Sequence, residues 1–122
     1  MKPYFIITLL VIGLSGCSLS FLQRDTRALS PRQNAALQLT QEGQQQLYAG
    51  KPDKAIRLFE QSIGLNPNDG QCYYYLAEAW LVKGAKSEAK QFNSLARDYL
   101  KDDADWTDRV IQQEFRIERL SK

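Results

Sequence analysis

The sequence predicts an all-α fold: an α-α superhelix of about two helix pairs, closed by a C-terminal capping helix. Three observations carry that expectation. Apolar residues recur at helical spacing through residues 30–122, and no segment makes a convincing strand. Glycine and proline punctuate the periodic stretches at Gly50-Lys51-Pro52, Asn66-Pro67-Asn68-Asp69-Gly70 and Lys83-Gly84. Small residues return at one interval: Gly43 and Ala77, Gly50 and Gly84, and Ala55 and Ala89 each lie about 34 residues apart.

The elements follow in chain order. Met1-Lys2 gives one positive charge, and Tyr4 to Gly13 is an apolar run of about ten residues. That run has the length of a secretory signal and is too short to span a bilayer. Leu14-Ser15-Gly16-Cys17 closes it with an aliphatic residue, two small residues and a cysteine. This tetrad resembles the lipobox of bacterial lipoproteins. The resemblance implies that residues 1–16 are a signal peptide removed before Cys17. It also implies a diacylglycerol on the Cys17 thiol, with an acyl chain such as palmitate usually added to the new amine. Each buried methylene adds roughly 0.8 kcal/mol, so two or three chains hold a protein firmly to a membrane. Ser18, not an aspartate, follows the cysteine. By the enterobacterial sorting pattern this leans toward the outer membrane, facing the periplasm. Residues 17–29 then read as the lipidated cysteine and a polar tether. Phe21 and Leu22 suit either the membrane interface or the surface of the domain.

Residues 30–122 form the helical domain. Ser30-Pro31 supplies a cap and a first-turn proline. The first helix is predicted from Pro31 to Ala49, with Ala35, Ala36, Leu39, Gly43 and Leu47 on one side. The second covers Pro52 to Leu65, with Ala55, Ile56, Phe59 and Ile63 inward. The third spans Gln71 to Val82, with Tyr73, Leu76, Ala77, Trp80 and Leu81 inward. The fourth runs from Lys86 to Leu100 on Ala89, Phe92, Leu95, Ala96 and Tyr99. Lys101-Asp102-Asp103 turns the chain into a last helix from Asp105 to Leu120, with Trp106, Val110, Gln113, Ile117 and Leu120 on its seam.

Residues Ala36 to Lys101 resemble tetratricopeptide repeats. In the first repeat the matching residues are Gly43, Gly50, Ala55, Phe59 and Pro67; in the second they are Tyr73, Leu76, Ala77, Trp80, Gly84, Ala89 and Ala96. Small residues let paired helices approach, and Phe59 and Trp80 fill the grooves between them. Three departures stand out. Glu42 and Gln46 occupy places that are usually apolar or aromatic. Asn93 stands where an aromatic is usual. Lys101-Asp102-Asp103 lacks the closing proline. Two repeats are fewer than the three usually needed, so the last helix or self-association must cover the exposed end.

The resemblance also implies a concave groove lined by the first helix of each pair. The candidate partner-binding residues are Gln41, Gln44, Tyr48, Tyr74, Tyr75, Glu78, Arg109 and Gln112, with Leu37, Thr40, Gln71, Val82 and Arg116 beside them. Tyrosine gives contact area at low entropic cost, and amides hydrogen-bond extended backbone. Tyr73 belongs to the core; Tyr74 and Tyr75 suit binding and plain exposure equally. The face lacks the Lys/Asn clamp with which some members grip a C-terminal carboxylate.

Charge and chemistry narrow the function. The chain has 16 basic and 14 acidic residues, interspersed, for a net charge of +2, so it carries no nucleic-acid footprint. It has no histidine, the commonest general base and metal ligand. With Cys17 lipidated, Cys72 stands alone, read either as buried and inert or as half of an intermolecular bridge. Asp102, Asp103, Asp105 and Asp108 lack the central glycine and distal glutamate of a calcium loop, and read as a turn and favourable charge at a helix start. No catalytic constellation, metal or cofactor is expected. The expectation is a lipid-anchored periplasmic adaptor or assembly factor for an envelope complex: pilus, barrel assembly or peptidoglycan synthesis. The alternative is a self-associating structural lipoprotein, such as a homodimer, without a dedicated peptide ligand. A hydrolase or transglycosylase working through a carboxylate such as Glu78 is the remaining class.

Overall fold

A computed structural model describes residues 28–121. The signal-like run, the lipobox, Cys17, Phe21 and Leu22 lie outside the described residues. Five helices follow one another: α1 (Pro31–Tyr48), α2 (Pro52–Leu65), α3 (Gly70–Val82), α4 (Lys86–Leu100) and α5 (Ala104–Glu118); no strand occurs among the described residues. The all-α expectation holds.

Each helix starts and stops for a local reason. The Ser30 hydroxyl accepts from the Gln33 amide, and the Gln33 side chain accepts in return from the Ser30 amide. This reciprocal box satisfies two donors that α1 would otherwise leave bare. Gly50 (φ 76) and Gly84 (φ 73) end α1 and α3 in left-handed backbone, which glycine reaches at least cost. The amides of Lys51 and Ala85 return to the carbonyls of Gln46 and Trp80, and those of Gly50 and Gly84 to Leu47 and Leu81. These tight stops fold α2 back along α1 and α4 back along α3. The two pairs join through α2 and α3, and α5 packs on α4 and α3.

Three boundaries differ from the prediction. α1 ends at Tyr48, because Ala49 is drawn into the reversal at Gly50. α5 occupies Ala104–Glu118 instead of Asp105–Leu120, because the Asp103 carboxylate accepts from the Trp106 amide and starts the helix early, while Arg119 caps its end. α3 begins at Gly70, because Asp69 caps it, accepting from the amides of Gln71 and Cys72. Gly70 is thus more than a chain breaker: a Cβ there would stand 2.6 Å from Leu100 Cγ.

The core has two joined parts. Phe59 packs with Ala55, Ile56, Cys72, Leu76 and Ala79. Tyr73, Ala96, Leu100 and Val110 form the second cluster, and Ile63 and Phe92 touch both. Each large apolar side chain taken fully from water contributes roughly 1.5–3 kcal/mol before entropy is counted. Tyr73 is buried as expected, with its hydroxyl donating to the Pro67 carbonyl at 2.9 Å.

Thr40 corrects the predicted groove face. It is buried between α1 and α2, where Ser62 Oγ donates to the Ala36 carbonyl at 2.8 Å and sits 2.7 Å from Thr40 Oγ1. Two small hydroxyl side chains satisfy each other there without pushing the helices apart. Gln46 is half-buried and its Oε1 lacks a partner among the described residues, while Glu42 is exposed. The outer face of the first pair is therefore polar where the sequence departs from the repeat pattern.

Candidate peptide-binding groove

The groove face of α3 follows from its spacing. Tyr74, Tyr75, Glu78 and Val82 share one side of the helix, opposite the buried Leu76, Ala79 and Cys72. With Leu47 and Tyr48 from α1 and Arg116 from α5 they line an open concavity of about 260 Å³. That volume is at the low end for a small-molecule site and suits one or two side chains of a passing segment. Leu37 and Gln71 line a separate depression near the start of α1, with Leu29, Gln33, Asn66 and Asp69.

Aromatic rings build the wall. Tyr74 and Tyr75 meet edge to face at 5.4 Å. Trp106 sets its ring edge-on to both, at 5.4 Å from Tyr74 and 6.1 Å from Tyr75. Phe59 backs Tyr75 at 6.2 Å. The two tyrosines are therefore half-buried and pinned, as a rigid binding wall requires. Burial pushes both phenols above their ordinary pKa, so they stay neutral at physiological pH. Tyr48 is freer, at 77% exposed, and Val82 stands open at 62%. The Arg109 guanidinium lies 5.0 Å over the Trp106 ring.

Glu78 is committed to structure. Its Oε1 accepts from Gln113 Nε2 at 2.8 Å, and Arg116 holds both carboxylate oxygens, Oε2 at 3.1 Å. The pairing holds the Arg116 pKa above its ordinary value. Gln113, fully buried, also donates to the Tyr74 carbonyl at 2.9 Å and accepts from Asn93 Nδ2 at 2.9 Å. Asn93 Nδ2 donates in addition to the Val110 carbonyl at 2.9 Å. A polar network thus runs from α4 through α5 to the groove floor on α3.

The structure sorts the predicted site residues. Tyr48, Tyr74, Tyr75 and Glu78 line one concavity. Arg109 flanks it through Trp106. Gln44 is half-buried on α1, and Gln41 and Gln112 are exposed; these three lie outside the lining. Leu47 lines the site and was expected only in the core; Trp106 packs on the core as expected and supports the wall through Tyr74 and Tyr75 without lining the concavity. Asn93, read as a lost aromatic, is the partner of Gln113. The signal for that pair was present: two polar residues at inward positions on consecutive helices.

The arrangement offers a tyrosine-rich wall with apolar surface beside it and, at its edge, the Arg109 guanidinium. Its one carboxylate is neutralised, and no nucleophile and base meet in it. Among the described residues, no group of three His, Cys, Asp or Glu side chains is placed to hold a metal, and no helix is long and apolar enough to cross a membrane.

The tetratricopeptide repeat family matches residues 46–108, just over half of the chain, from the last turn of α1 into α5. No curated protein and no solved structure matches the chain.

Proposed function

Because this chain belongs to the tetratricopeptide repeat family, whose repeats mediate protein–protein interaction, we propose that it is a lipid-anchored periplasmic adaptor or assembly factor whose α1–α3–α5 groove takes an extended segment of an envelope protein. The observation that carries the binding half is the pinned aromatic wall. Tyr74, Tyr75 and Trp106 are ordered before any partner arrives, so binding loses little entropy there. Tyr48 and Val82 leave apolar surface open beside them. The anchoring half rests on Leu14-Ser15-Gly16-Cys17 behind its apolar run. Pilus, barrel-assembly and peptidoglycan-synthesis machines are the classes of complex in which such an adaptor works.

The commitment of Glu78 to Arg116 and Gln113 favours an adaptor over a hydrolase. Both of its carboxylate oxygens already accept from these side chains, so neither is free to serve a substrate.

The test uses a photo-crosslinking residue in place of Tyr48, and another in place of Gln61 on the outer face, in the membrane-bound protein. The expected result is one envelope protein crosslinked from the Tyr48 site, absent from the Gln61 site, and lost when Arg109→Glu is added. The same crosslinks from both sites would remove the groove from the account.

A further inference from the structure

On α5, Ile111 and Phe115 stand one turn apart and are 40% and 62% exposed. They point away from Val110, Gln113 and Ile117, which are buried. The repeat interval of about 34 residues gives these positions a meaning. Ile111 follows Gly43 and Ala77 by that interval, and Phe115 follows Leu47 and Leu81. In α1 and α3 the small position turns toward a paired helix: Gly43 meets Phe59 of α2, and Ala77 is fully buried. α5 has no such paired helix among the described residues, and its small residue has become isoleucine. A single Cβ already comes too close at Gly43, so an isoleucine excludes the tight pairing of the earlier repeats. This face admits a wider crossing.

The charges say what crosses it. Asp108 lies about one turn before Ile111, and Arg119 about one turn after Phe115, both toward the same face. Neither has an ion pair within the described residues. The neighbouring acids are taken: Glu114 by Arg97, and Glu118 by Lys86 and Lys90. Along the helix the face therefore reads acid, two apolar side chains, base. Reversed, that order is its own complement.

We propose that two copies of this chain associate through α5, antiparallel about a two-fold axis. Ile111 of each copy packs against Phe115 of the other, and Asp108 of each pairs with Arg119 of the other, as an isologous interface requires. The groove stays open, because Arg109 and Arg116 lie on a different side of α5. Four apolar side chains and two ion pairs bury less than the ~1,600 Å² of a standard interface, so the dimer is weak and reversible.

The test is sedimentation of the full chain in detergent micelles, from about 10 μM to about 1 mM. Any association through residues 1–27 is common to all variants and cancels in the comparison. The wild type shifts from monomer to dimer across the series. Phe115→Asp raises the dissociation constant by about tenfold or more. Asp108→Arg raises it by about three- to tenfold, and Asp108→Arg with Arg119→Asp restores it. All these residues are exposed, so helical circular dichroism and melting stay at wild-type values and certify folding. A wild type that stays monomeric overturns the proposal and leaves the α5 face to a different protein's helix. A dimer indifferent to Phe115→Asp, or a double reversal that fails to restore it, overturns it too.

Discussion

A Cβ placed on Gly43 would lie 2.5 Å from Cε1 of Phe59, so α1 and α2 touch through a missing side chain. Phe59 is fully buried in the main cluster, so its ring cannot swing out to water without leaving that cluster. Alanine favours a helix over glycine by about 1 kcal/mol. Overpacking of this kind costs about 1–3 kcal/mol. Gly43→Ala is therefore expected to lower stability despite the helix gain, by about 1 kcal/mol or more, and Gly43→Leu to open the first pair. Urea melting checks it. Phe59→Leu added to Gly43→Ala should recover part of the loss; a Gly43→Ala chain as stable as the wild type would break the argument.

The network from Asn93 to Glu78 makes a second prediction. Gln113→Ala strips the Tyr74 carbonyl, Glu78 and Asn93 of a partner at once and opens a cavity. The expected cost is about 2–4 kcal/mol. Asn93→Leu combined with Gln113→Leu should cost less than the sum of the single changes by about 1 kcal/mol, since each single change alone strips the other amide of the bond the two share. A double-mutant cycle in urea measures this directly. Additive losses would mean that the two amides act independently.

Cys72 gives the alkaline limb of stability its shape. Burial pushes its thiol up from 9.0 to about 11. Above pH 9.0 the unfolded chain releases this proton and the folded chain keeps it. The unfolded state then binds fewer protons, so stability falls as pH rises. The contribution is whole below the unfolded value and is lost between 9.0 and about 11. The loss is on the order of 2–3 kcal/mol. Tyr73, Tyr74 and Tyr75, whose phenols burial also raises, act in the same direction at higher pH. Cys72→Ala should flatten the fall between about pH 8 and about pH 10.5, read by urea melts at each pH. An unchanged slope would place the effect elsewhere.

The sequence carried the fold further than the site, and particular residues show why. Gly43, Gly50, Gly84 and Phe59 answer to constraints written locally: a helix stop, or a small residue facing a large one in a repeated register. Both pairs, the last helix and the tyrosine face of α3 followed from those. Glu78 and Asn93 were harder, because their partners Arg116 and Gln113 come from another helix. Residue spacing fixes which side of a helix a group occupies. It says little about which polar groups from three helices converge, and so the pairing of Glu78 with Arg116, both in the groove lining, does not follow from spacing. Thr40 was misplaced for a related reason. Its groove position by period is one residue from the interface, and Ser62 draws it inward.

Tyr48 and Tyr74 should separate binding from packing. Tyr48 is 77% exposed, so Tyr48→Ala is expected to change stability by less than about 0.5 kcal/mol. Tyr74 is wedged between Tyr75 and Trp106, so Tyr74→Ala should cost about 1–3 kcal/mol. Thermal melting of the two variants side by side checks it. Only Tyr48→Ala then serves as a clean probe of partner capture, and a large loss of stability in Tyr48→Ala would give that side chain a packing role instead.

The proposed lipid anchor turns on one atom, the Cys17 sulfur. The apolar run before it is about ten residues, the length of a secretory signal, and the alternative to lipidation is a plain membrane anchor with a chance cysteine. If acyl chains do the holding, removing the thiol removes the attachment point while leaving residues 28–121 and both core clusters intact. Cys17→Ser is therefore expected to lose palmitate label and to leave the membrane fraction, or to accumulate uncut with residues 1–16 attached. Its helical domain should melt as the wild type does. Labelling with radioactive palmitate, followed by membrane fractionation, reads both effects in one experiment. A Cys17→Ser chain that still takes up label and stays with the membrane would remove the lipid anchor from the account, while the groove and its aromatic wall would stand unaffected.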